Sequence, residues 1–503
     1  MVDMRGLRRA LVLTTGERYF SLVANFITLS VVSRLLTPDE IGVSVLGGAI
    51  AGTAMAFREF ATPTFIIQRV NISKDDVRTV ATIQVFVSIV TGAAIFLMSA
   101  LLAEIYHDER LRLFLHLVAL AVIFEAVGIT IAALLRRNME FEKLAVINIS
   151  SAAANTIVTL LLVWWGFSYM SFAWGWLAAA GMSGVLSLLI WRDVSIFRPG
   201  LKSLREVVKF CSINGMNTTL GRLYDSVPYL ALGRILTGES VALYNRSLTI
   251  CQLPDKVFFG GVASAVLPAF SAHARDGGDL RKSYLRSVEF ITAFQWPALI
   301  VICILADPIV RIILGSQWLD AVPIIRIMAL ASLFNFSDQL TYPVLFAADA
   351  MRDILKRALI MWPSTAAIIV IAANFGLYAA ALSWFVALPI QALISNYYIR
   401  RHVYFSNVDL MRILWRAALL SLSAAAGPLV VVALNKNGFD LSLPATAVSV
   451  ALSAAGWLFA LRMGQHPLFD EMRIMAHAVL SRVIKRDSSP AAFRVLLDGR
   501  KAN

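Results

Sequence analysis

The 503 residues have a mean hydropathy of +0.72, and 58% of them are hydrophobic whereas only 15% are charged. Soluble domains carry about 25% charged residues, so this composition excludes an ordinary soluble protein and indicates a polytopic membrane protein. The net charge of +13 comes mainly from predicted cytoplasmic loops and the C-terminal tail. Anionic membrane lipids therefore explain the charge better than nucleic acid does.

Apolar runs long enough to cross about 30 Å of hydrocarbon as a helix recur along the chain. We predict fourteen transmembrane helices and an all-α fold. The spans lie near residues 11–33, 41–66, 79–103, 113–134, 144–166, 170–191, 210–233, 241–269, 288–310, 322–347, 357–373, 376–399, 413–434 and 442–461. The stretch 144–191 contains no Asp, Glu, Lys or Arg but is too long for one crossing, so it must turn near residues 166–170.

The distribution of Lys and Arg predicts the orientation, because cytoplasmic loops are enriched in them. With fourteen spans, 32 basic residues fall on the side of the two termini and eight on the opposite side. The eight are Arg34, Arg110, Arg112, Arg234, Arg246, Arg311, Arg326 and Lys436. Both termini are thus predicted to be cytoplasmic, and the N-terminal segment is predicted to be a first span rather than a cleaved signal.

A ten-residue segment recurs with an offset of 200 residues. The segment SRLLTPDEIG at 33–42 aligns with GRILTGESVA at 233–242, and both follow one span and open another. An even number of predicted spans separates the copies, so the two halves point the same way across the membrane. Transporter sites commonly lie at the interface between such parallel repeats.

Five basic residues fall inside the predicted spans: Arg18, Arg58, Arg222, Lys256 and Arg416. A charge at the bilayer centre costs at least about 2.5 kcal/mol, so embedded charges usually face a protein interior or a wet cavity. Four of the five lie on the first two spans of the two halves.

Acidic residues accompany these four bases. Counting back from the first turn places Glu17 level with Arg58, and Arg18 level with Glu59. The second half carries Arg222 with Asp225 on span seven, and Asp255 with Lys256 on span eight.

Two interpretations of the embedded charges stay open. In the first, the charges are structural ion pairs that hold neighbouring helices together, or basic groups that reach the interface. In the second, Arg18, Arg58, Arg222 and Lys256 face a lumen between the halves and bind an anionic group, since Arg donates paired hydrogen bonds to phosphate and Lys supplies a point charge. Two further acids, Glu125 and Asp338, are either hydrogen-bonded core residues or candidates for proton or sodium coupling.

The remaining features exclude several classes of site. The cysteines, Cys211, Cys251 and Cys303, lack the Cys/His spacing of a metal site, so we expect small buried residues and no metal or cofactor. The hydrophilic segments between spans are too short for a soluble catalytic domain, and we expect no enzyme. The segment 472–486 has the spacing of an amphipathic helix that lies on the inner membrane surface.

Four segments resemble the polysaccharide-transporter family, the Wzx and exopolysaccharide flippase type within the MATE-like MOP superfamily. They are SRLLTPDEIG at 33–42, LLRRNMEFEKLA at 134–145, ASAVLPAFSAHARDGGDLRKSYLRS at 263–287 and ADPIVRIILGSQWLDAVPIIRIMAL at 306–330. The resemblance covers the chain to about residue 460.

The resemblance implies two six-helix lobes that form a V around a central cavity. The lobes would be residues 1–201 and 202–402, followed by two extra helices at 403–462 and a basic cytoplasmic tail at 463–503. It implies a location in the bacterial inner membrane and alternating access. The implied cargo is a polyprenyl-pyrophosphate-linked oligosaccharide, held by a cationic lumen, for exopolysaccharide, capsule or O-antigen synthesis. A polysaccharide polymerase is an expected partner.

Two other functions compete with this one. An ion-coupled multidrug-type antiporter of the same superfamily would need a net acidic cavity to hold organic cations. A membrane glycan polymerase or ligase would need a large outer loop with reactive basic residues, and the predicted outer loops are short.

Overall fold

The computed structural model describes residues 4–56, 58, 64–69, 71–257, 270–271, 275, 278–436 and 438–474, with the backbone alone for residues 4–12, 64 and 211–218. This part of the chain is helical and contains no strand. The α-helices are α1 (Met4–Leu35), α2 (Pro38–Ala56), α3 (Thr64–Gln68), α4 (Lys74–Tyr106), α5 (Arg110–Arg137), α6 (Phe141–Trp164), α7 (Met170–Ile190), α8 (Leu204–Ile235), α9 (Gly238–Cys251), α10 (Leu280–Ile304), α11 (Ala306–Ile313), α12 (Ala321–Ala331), α13 (Asp338–Ala347), α14 (Met351–Ala373), α15 (Leu377–Leu382), α16 (Trp384–Arg400), α17 (Asn407–Leu434) and α18 (Leu443–Met463).

Within the described residues, ten helical segments are long and apolar enough to cross a membrane. They are α4, α5, α6, α7, α10, the segment Ala321–Ala347 that joins α12 and α13, α14, the segment Leu377–Arg400 that joins α15 and α16, α17 and α18. The protein is thus a multi-pass membrane protein, but the predicted count of fourteen spans is not confirmed. The other four predicted spans overlap α1, α2, α8 and α9. Helices α1 and α8 contain charged residues within their length, α2 has Asp39 and Glu40 in its first turn, and α9 has only 14 residues.

The predicted turn in the charge-free stretch is confirmed. Helix α6 ends at Trp164 and α7 begins at Met170. Between them Gly166 has a φ of +84°, in the left-handed region that glycine adopts without a steric penalty.

The two repeated segments form equivalent turns, each capped by a threonine. Thr37 Oγ1 accepts a hydrogen bond from the Glu40 backbone N–H at 3.3 Å, while the Glu40 carboxylate accepts one from the Thr37 backbone N–H at 2.8 Å. In the second copy, Thr237 Oγ1 accepts a hydrogen bond from the Ser240 backbone N–H at 3.2 Å. Each side chain satisfies an N–H that would otherwise lack a partner at a helix start, so the shared Thr explains why both turns begin a new helix at the same place.

These two turns meet at one end of the bundle, which we call the hairpin end and define as residues 35–42 and 235–242. Helix α2 packs against both α8 and α9. At Gly42 a Cβ atom would overlap the carbonyl oxygen of Gly238. The backbones of the two halves are therefore in direct contact, and only glycine fits at position 42.

A second contact closes the hairpin end beside α1. The Trp318 indole N–H donates a hydrogen bond to the Ser33 carbonyl at 2.7 Å, and Gln317 Nε2 donates to the Leu36 carbonyl at 2.8 Å. The Ser30 hydroxyl donates to the Ile313 carbonyl at 2.8 Å. The last turn of α1 is thus held by the segment 313–318 of the second half.

The last two helices, α17 and α18, pack against each other, and α17 also packs along α10. The Trp457 indole N–H of α18 donates a hydrogen bond to the Ala293 carbonyl of α10 at 2.8 Å. The domain boundaries at 201/202, 402/403 and 462/463 stay predictions. The predicted amphipathic helix at 472–486 lies outside the described residues from position 475 onward.

A candidate cationic site between the halves

A cavity of about 550 Å³ lies between α1 of the first half and α9 of the second. We call it the α1/α9 cavity. Its lining residues are Arg18, Ser21, Leu22, Asn25, Phe26, Thr28, Leu29, Phe172, Arg246, Thr249, Leu253 and Lys256. Three of these side chains are basic and none is acidic, so the described lining has an excess of three positive charges.

Arg18 and Lys256 reach this cavity from opposite halves of the chain. Both side chains are exposed at the cavity surface, and within the described residues neither has a carboxylate partner. These two bases lie on different halves of the repeat, and the structure brings them to one cavity.

Arg246 was missed as a site residue. Arg246 is expected from the sequence among the basic residues on the outer side of the membrane, whereas the structure places it in the middle of α9 with only 7% of its surface exposed. Position 246 lies inside the predicted span 241–269, and this was the signal that could have identified it.

The Arg246 guanidinium has few partners for a buried cation. Its Cζ lies 5.7 Å from the centroid of the Trp318 ring, and its Nε makes no hydrogen bond. No carboxylate pairs with it in the described part of the chain. A buried cation of this kind is costly unless something compensates it, so Arg246 is poised to bind an anion that enters the cavity.

A smaller cavity of about 300 Å³ lies between α2 and α8. We call it the α2/α8 cavity. Arg222 and Asp225 line it together with Tyr229 and Asn245. Arg222 and Asp225 are predicted from the sequence as charge partners on one span, and both line this cavity at the junction of the halves.

The predicted pairing of Glu17 with Arg58 is wrong. Arg58 Nη1 lies 2.9 Å from Glu125 Oε2, and Glu17 Oε1 instead accepts a hydrogen bond from Asn148 Nδ2 at 2.7 Å. Helix α2 packs along α5, and α1 packs along α6, so Arg58 and Glu17 find their nearest partners on those helices and not at equal depth in the hairpin. Glu59, the predicted partner of Arg18, lies outside the described residues.

Glu125 and Asp338, the two acids for which the sequence indicates no partner, each form an ion pair in the structure. Glu125 pairs with Arg58, and Asp338 pairs with Arg357, whose Nε also donates a hydrogen bond to Ser395 Oγ at 3.0 Å. Each of these ion pairs joins residues from different segments of the chain. This pairing favours a structural role over ion coupling for both acids.

The remaining embedded charges also have partners from distant segments. Asp255 accepts a hydrogen bond from Gln295 Nε2 at 2.8 Å. Arg416 Nη1 lies 3.0 Å from Glu289 Oε1, and this ion pair joins α17 to α10. Arg416 is therefore a structural residue of the last two helices and not part of either cavity.

We expect the Glu125→Gln substitution to destabilise the folded protein by about 3 kcal/mol, because it leaves the Arg58 charge without a partner in a mostly buried site. The double substitution Arg58→Gln and Glu125→Gln should recover part of this loss. Thermal unfolding of the purified protein in detergent measures both effects. The control is Glu109→Gln at an exposed position. Equal stability of the wild type, Glu125→Gln and control proteins would contradict a structural pair.

The chain is similar to known proteins of polysaccharide biosynthesis. A family model described as "Polysaccharide biosynthesis protein" matches residues 31–323, more than half of the chain. The lipopolysaccharide biosynthesis protein WzxC of Escherichia coli (strain K12) is 23% identical over 313 residues. That alignment covers 61% of this chain and 63% of WzxC, so this chain spans less than two thirds of that relative.

Two solved structures share the fold. The lipid II flippase MurJ, in an inward closed conformation, matches with a TM-score of 0.72 at 12% identity. The alignment covers 91% of this chain and 99% of the MurJ chain. An inward-facing multidrug resistance MATE family transporter of the MOP superfamily matches with a TM-score of 0.63 at 15% identity. That alignment covers 78% of this chain and 98% of the transporter chain. The resemblance found in the sequence is thereby confirmed, and the chain belongs to the polysaccharide biosynthesis protein family with the fold of MurJ and the MATE transporters.

Proposed function

We propose that this protein is a flippase that carries a polyprenyl-pyrophosphate-linked oligosaccharide from the cytoplasmic to the periplasmic leaflet of the bacterial inner membrane. The observation that carries the proposal is the α1/α9 cavity, in which Arg18, Arg246 and Lys256 converge without an acidic neighbour in the described lining. A pyrophosphate group cannot cross hydrocarbon unaided, and a polar path with fixed positive charges is what a flippase must supply.

The chemistry of the cavity suits a phosphorylated headgroup. Arg18 and Arg246 can each donate paired hydrogen bonds to phosphate oxygens, while Lys256 supplies a compact charge. Apolar side chains of α1, such as Leu22 and Phe26, share the lining. The polar head can therefore bind inside while the polyprenyl chain stays in contact with apolar surface or lipid.

The closed hairpin end gives a direction to the cycle. The excess of basic residues on the opposite side supports an orientation with both termini in the cytoplasm and the hairpin end in the periplasm. In that orientation the cargo enters from the cytoplasmic side, where Arg18 and Lys256 lie, and release requires the contacts at Gly42 and at segment 313–318 to separate.

We assign the other embedded charges to different tasks. Arg222, with Asp225, forms a second polar surface between α2 and α8 that the head can contact as the halves move. Arg58 lines neither cavity, and with Glu125 it fastens the end of α2 to α5. Anionic lipids and a polysaccharide polymerase are the further partners that we propose.

The same fold in a multidrug transporter raises an alternative, an antiporter for small molecules. Organic cations would be repelled by Arg18, Arg246 and Lys256, and within the described lining of the α1/α9 cavity no carboxylate offsets them. The charge of this cavity therefore favours an anionic cargo.

The test is a deletion strain. We expect it to lose surface polysaccharide and to accumulate the lipid-linked repeat unit on the cytoplasmic face, since the transferases continue while transport stops. Metabolic labelling of the repeat unit, followed by its accessibility to an impermeant sugar-modifying enzyme in intact spheroplasts, measures the side on which it accumulates. Unchanged surface polysaccharide together with increased sensitivity to cationic drugs would favour the antiporter instead.

A further inference from the structure

A third cavity, of about 610 Å³, lies at the junction of α16 and α17. Its polar lining includes Asn396, Tyr397, Arg400, Arg401 and Tyr404. None of these residues lines the two cavities between the halves. The volume falls in the range of pockets that bind small organic ligands.

Arg400 is held in place at this cavity by two neighbours. Its Cζ lies 4.7 Å from the centroid of the Phe405 ring, and its Nη2 donates a hydrogen bond to Asn407 Oδ1. Its Nε is buried and makes no hydrogen bond, and no carboxylate pairs with Arg400 in the described residues. The guanidinium is thus oriented, positively charged and incompletely satisfied, which are the properties of an anion-binding group.

Nearby acids do not cancel this charge. Asp409 lies 2.8 Å from Arg281 Nη2, and Asp353 contacts both His402 and Arg401. The Arg401 contact with Asp353 is loose, at 3.6 Å. The acids of this region therefore have basic partners of their own.

The cavity lies at the level where a membrane protein meets lipid headgroups. Trp384, at the other end of α16, donates a hydrogen bond to the Tyr244 hydroxyl of α9 at 2.8 Å, near the hairpin end. The helix rises about 24 Å between Trp384 and Arg400, so Arg400 lies near the opposite membrane surface. Tyr397 and Tyr404 are 62% and 76% exposed, as is typical of aromatic residues at the membrane interface.

The rim of the cavity is apolar on one side. Leu393, about two turns before Arg400 on α16, is 70% exposed and lines the cavity, and Leu410 lines it from α17. A ligand that fills the cavity would touch these side chains as well as the guanidinium. Such a ligand has an anionic head and a hydrocarbon chain.

We propose that this cavity binds the phosphate of an anionic phospholipid from the surrounding membrane. Arg400 donates to the phosphate oxygens, Arg401 adds a second positive charge, and the acyl chains run past Leu393 into the bilayer. The bound lipid bridges α16 to α17 and so connects the second half to the two additional helices.

The experiment uses the full chain in nanodiscs of phosphatidylcholine, into which phosphatidylglycerol is titrated while bound lipid is followed by native mass spectrometry. We expect the wild type to retain phosphatidylglycerol over phosphatidylcholine, and Arg400→Gln to weaken this retention about tenfold, the effect of losing one charge-assisted hydrogen-bonded contact. Arg401→Gln should weaken it less, and Arg400→Lys should keep most of it.

The matched control is Arg412→Gln, an exposed arginine of α17 that does not line the cavity. Equal retention by wild type and Arg400→Gln, or an equal loss in the Arg412→Gln control, would overturn the proposal. Full competition by inorganic phosphate would also overturn it, since the site would then take a free anion. Lipid retention is measured without transport, so a failure of this lipid-binding proposal leaves the proposed flippase function untouched.

Discussion

Replacing Arg246 with glutamine is expected to reduce polysaccharide export by about tenfold to a hundredfold without lowering the stability of the protein. A charge-assisted hydrogen bond contributes about 1.5 to 3 kcal/mol, and Arg246 supplies at least one such bond to the cargo in our proposal. The Arg246 charge is buried and without a carboxylate partner in the described residues. Removing that charge relieves a desolvation cost, so function and stability should change in opposite directions.

Two measurements together check this expectation. Surface polysaccharide in a complemented deletion strain reports export, and thermal unfolding of the purified variant reports stability. Arg246→Lys should retain part of the export because it keeps the charge. Arg416→Gln is the control, since Arg416 is also an embedded arginine but lines neither cavity between the halves. Full export by Arg246→Gln, or an equal loss in Arg416→Gln at equal protein level, would contradict the assigned role.

Replacing Gly42 with alanine is expected to open the hairpin end. The added Cβ would overlap the Gly238 carbonyl oxygen. Because the backbone fixes the position of a Cβ and the carbonyl is itself backbone, the two backbones must separate to relieve the clash. Overpacking of a close contact costs about 1 to 3 kcal/mol. A cost of about 2 kcal/mol corresponds to about a thirtyfold shift from the closed towards the open state.

Thiol labelling measures this shift. A single cysteine at Val45, which lines the α2/α8 cavity, is introduced after the three native cysteines are replaced by alanine. An impermeant maleimide added to intact cells should label it faster in the Gly42→Ala variant. The control is Gly48→Ala on the same helix, where a Cβ meets no atom within 4 Å. Equal labelling rates in these two variants would show that the Gly42 contact does not hold this end closed.

The fold was predictable because its signals are long and local. Apolar runs marked the helices, and the repeat at 33–42 and 233–242 marked two equivalent turns, which Thr37 and Thr237 cap in the same way. The span count was less secure. Helices α1 and α8 contain charges that face the interior of the bundle, so their composition is less apolar than that of a helix surrounded by lipid.

The partners of the site residues were less predictable, because they depend on contacts between helices far apart in the chain. Depth along a hairpin suggested that Arg58 would meet Glu17, but Glu125 on α5 lies closer. Arg18 and Lys256 were identified from their positions in the repeat, whereas their meeting in one cavity depends on how the two halves are arranged around it. Arg246 has no basic counterpart at position 46, so the repeat could not identify it.

Binding of polyprenyl pyrophosphate to the purified protein in nanodiscs tests the central claim most directly. We predict that the wild type binds polyprenyl pyrophosphate at least about tenfold more tightly than the uncharged polyprenol, as expected for charge-assisted contacts to the phosphates. The triple variant Arg18→Gln, Arg246→Gln and Lys256→Gln should lose this preference. Equal binding of both lipids by the wild type, or an undiminished preference in the triple variant, would contradict the account.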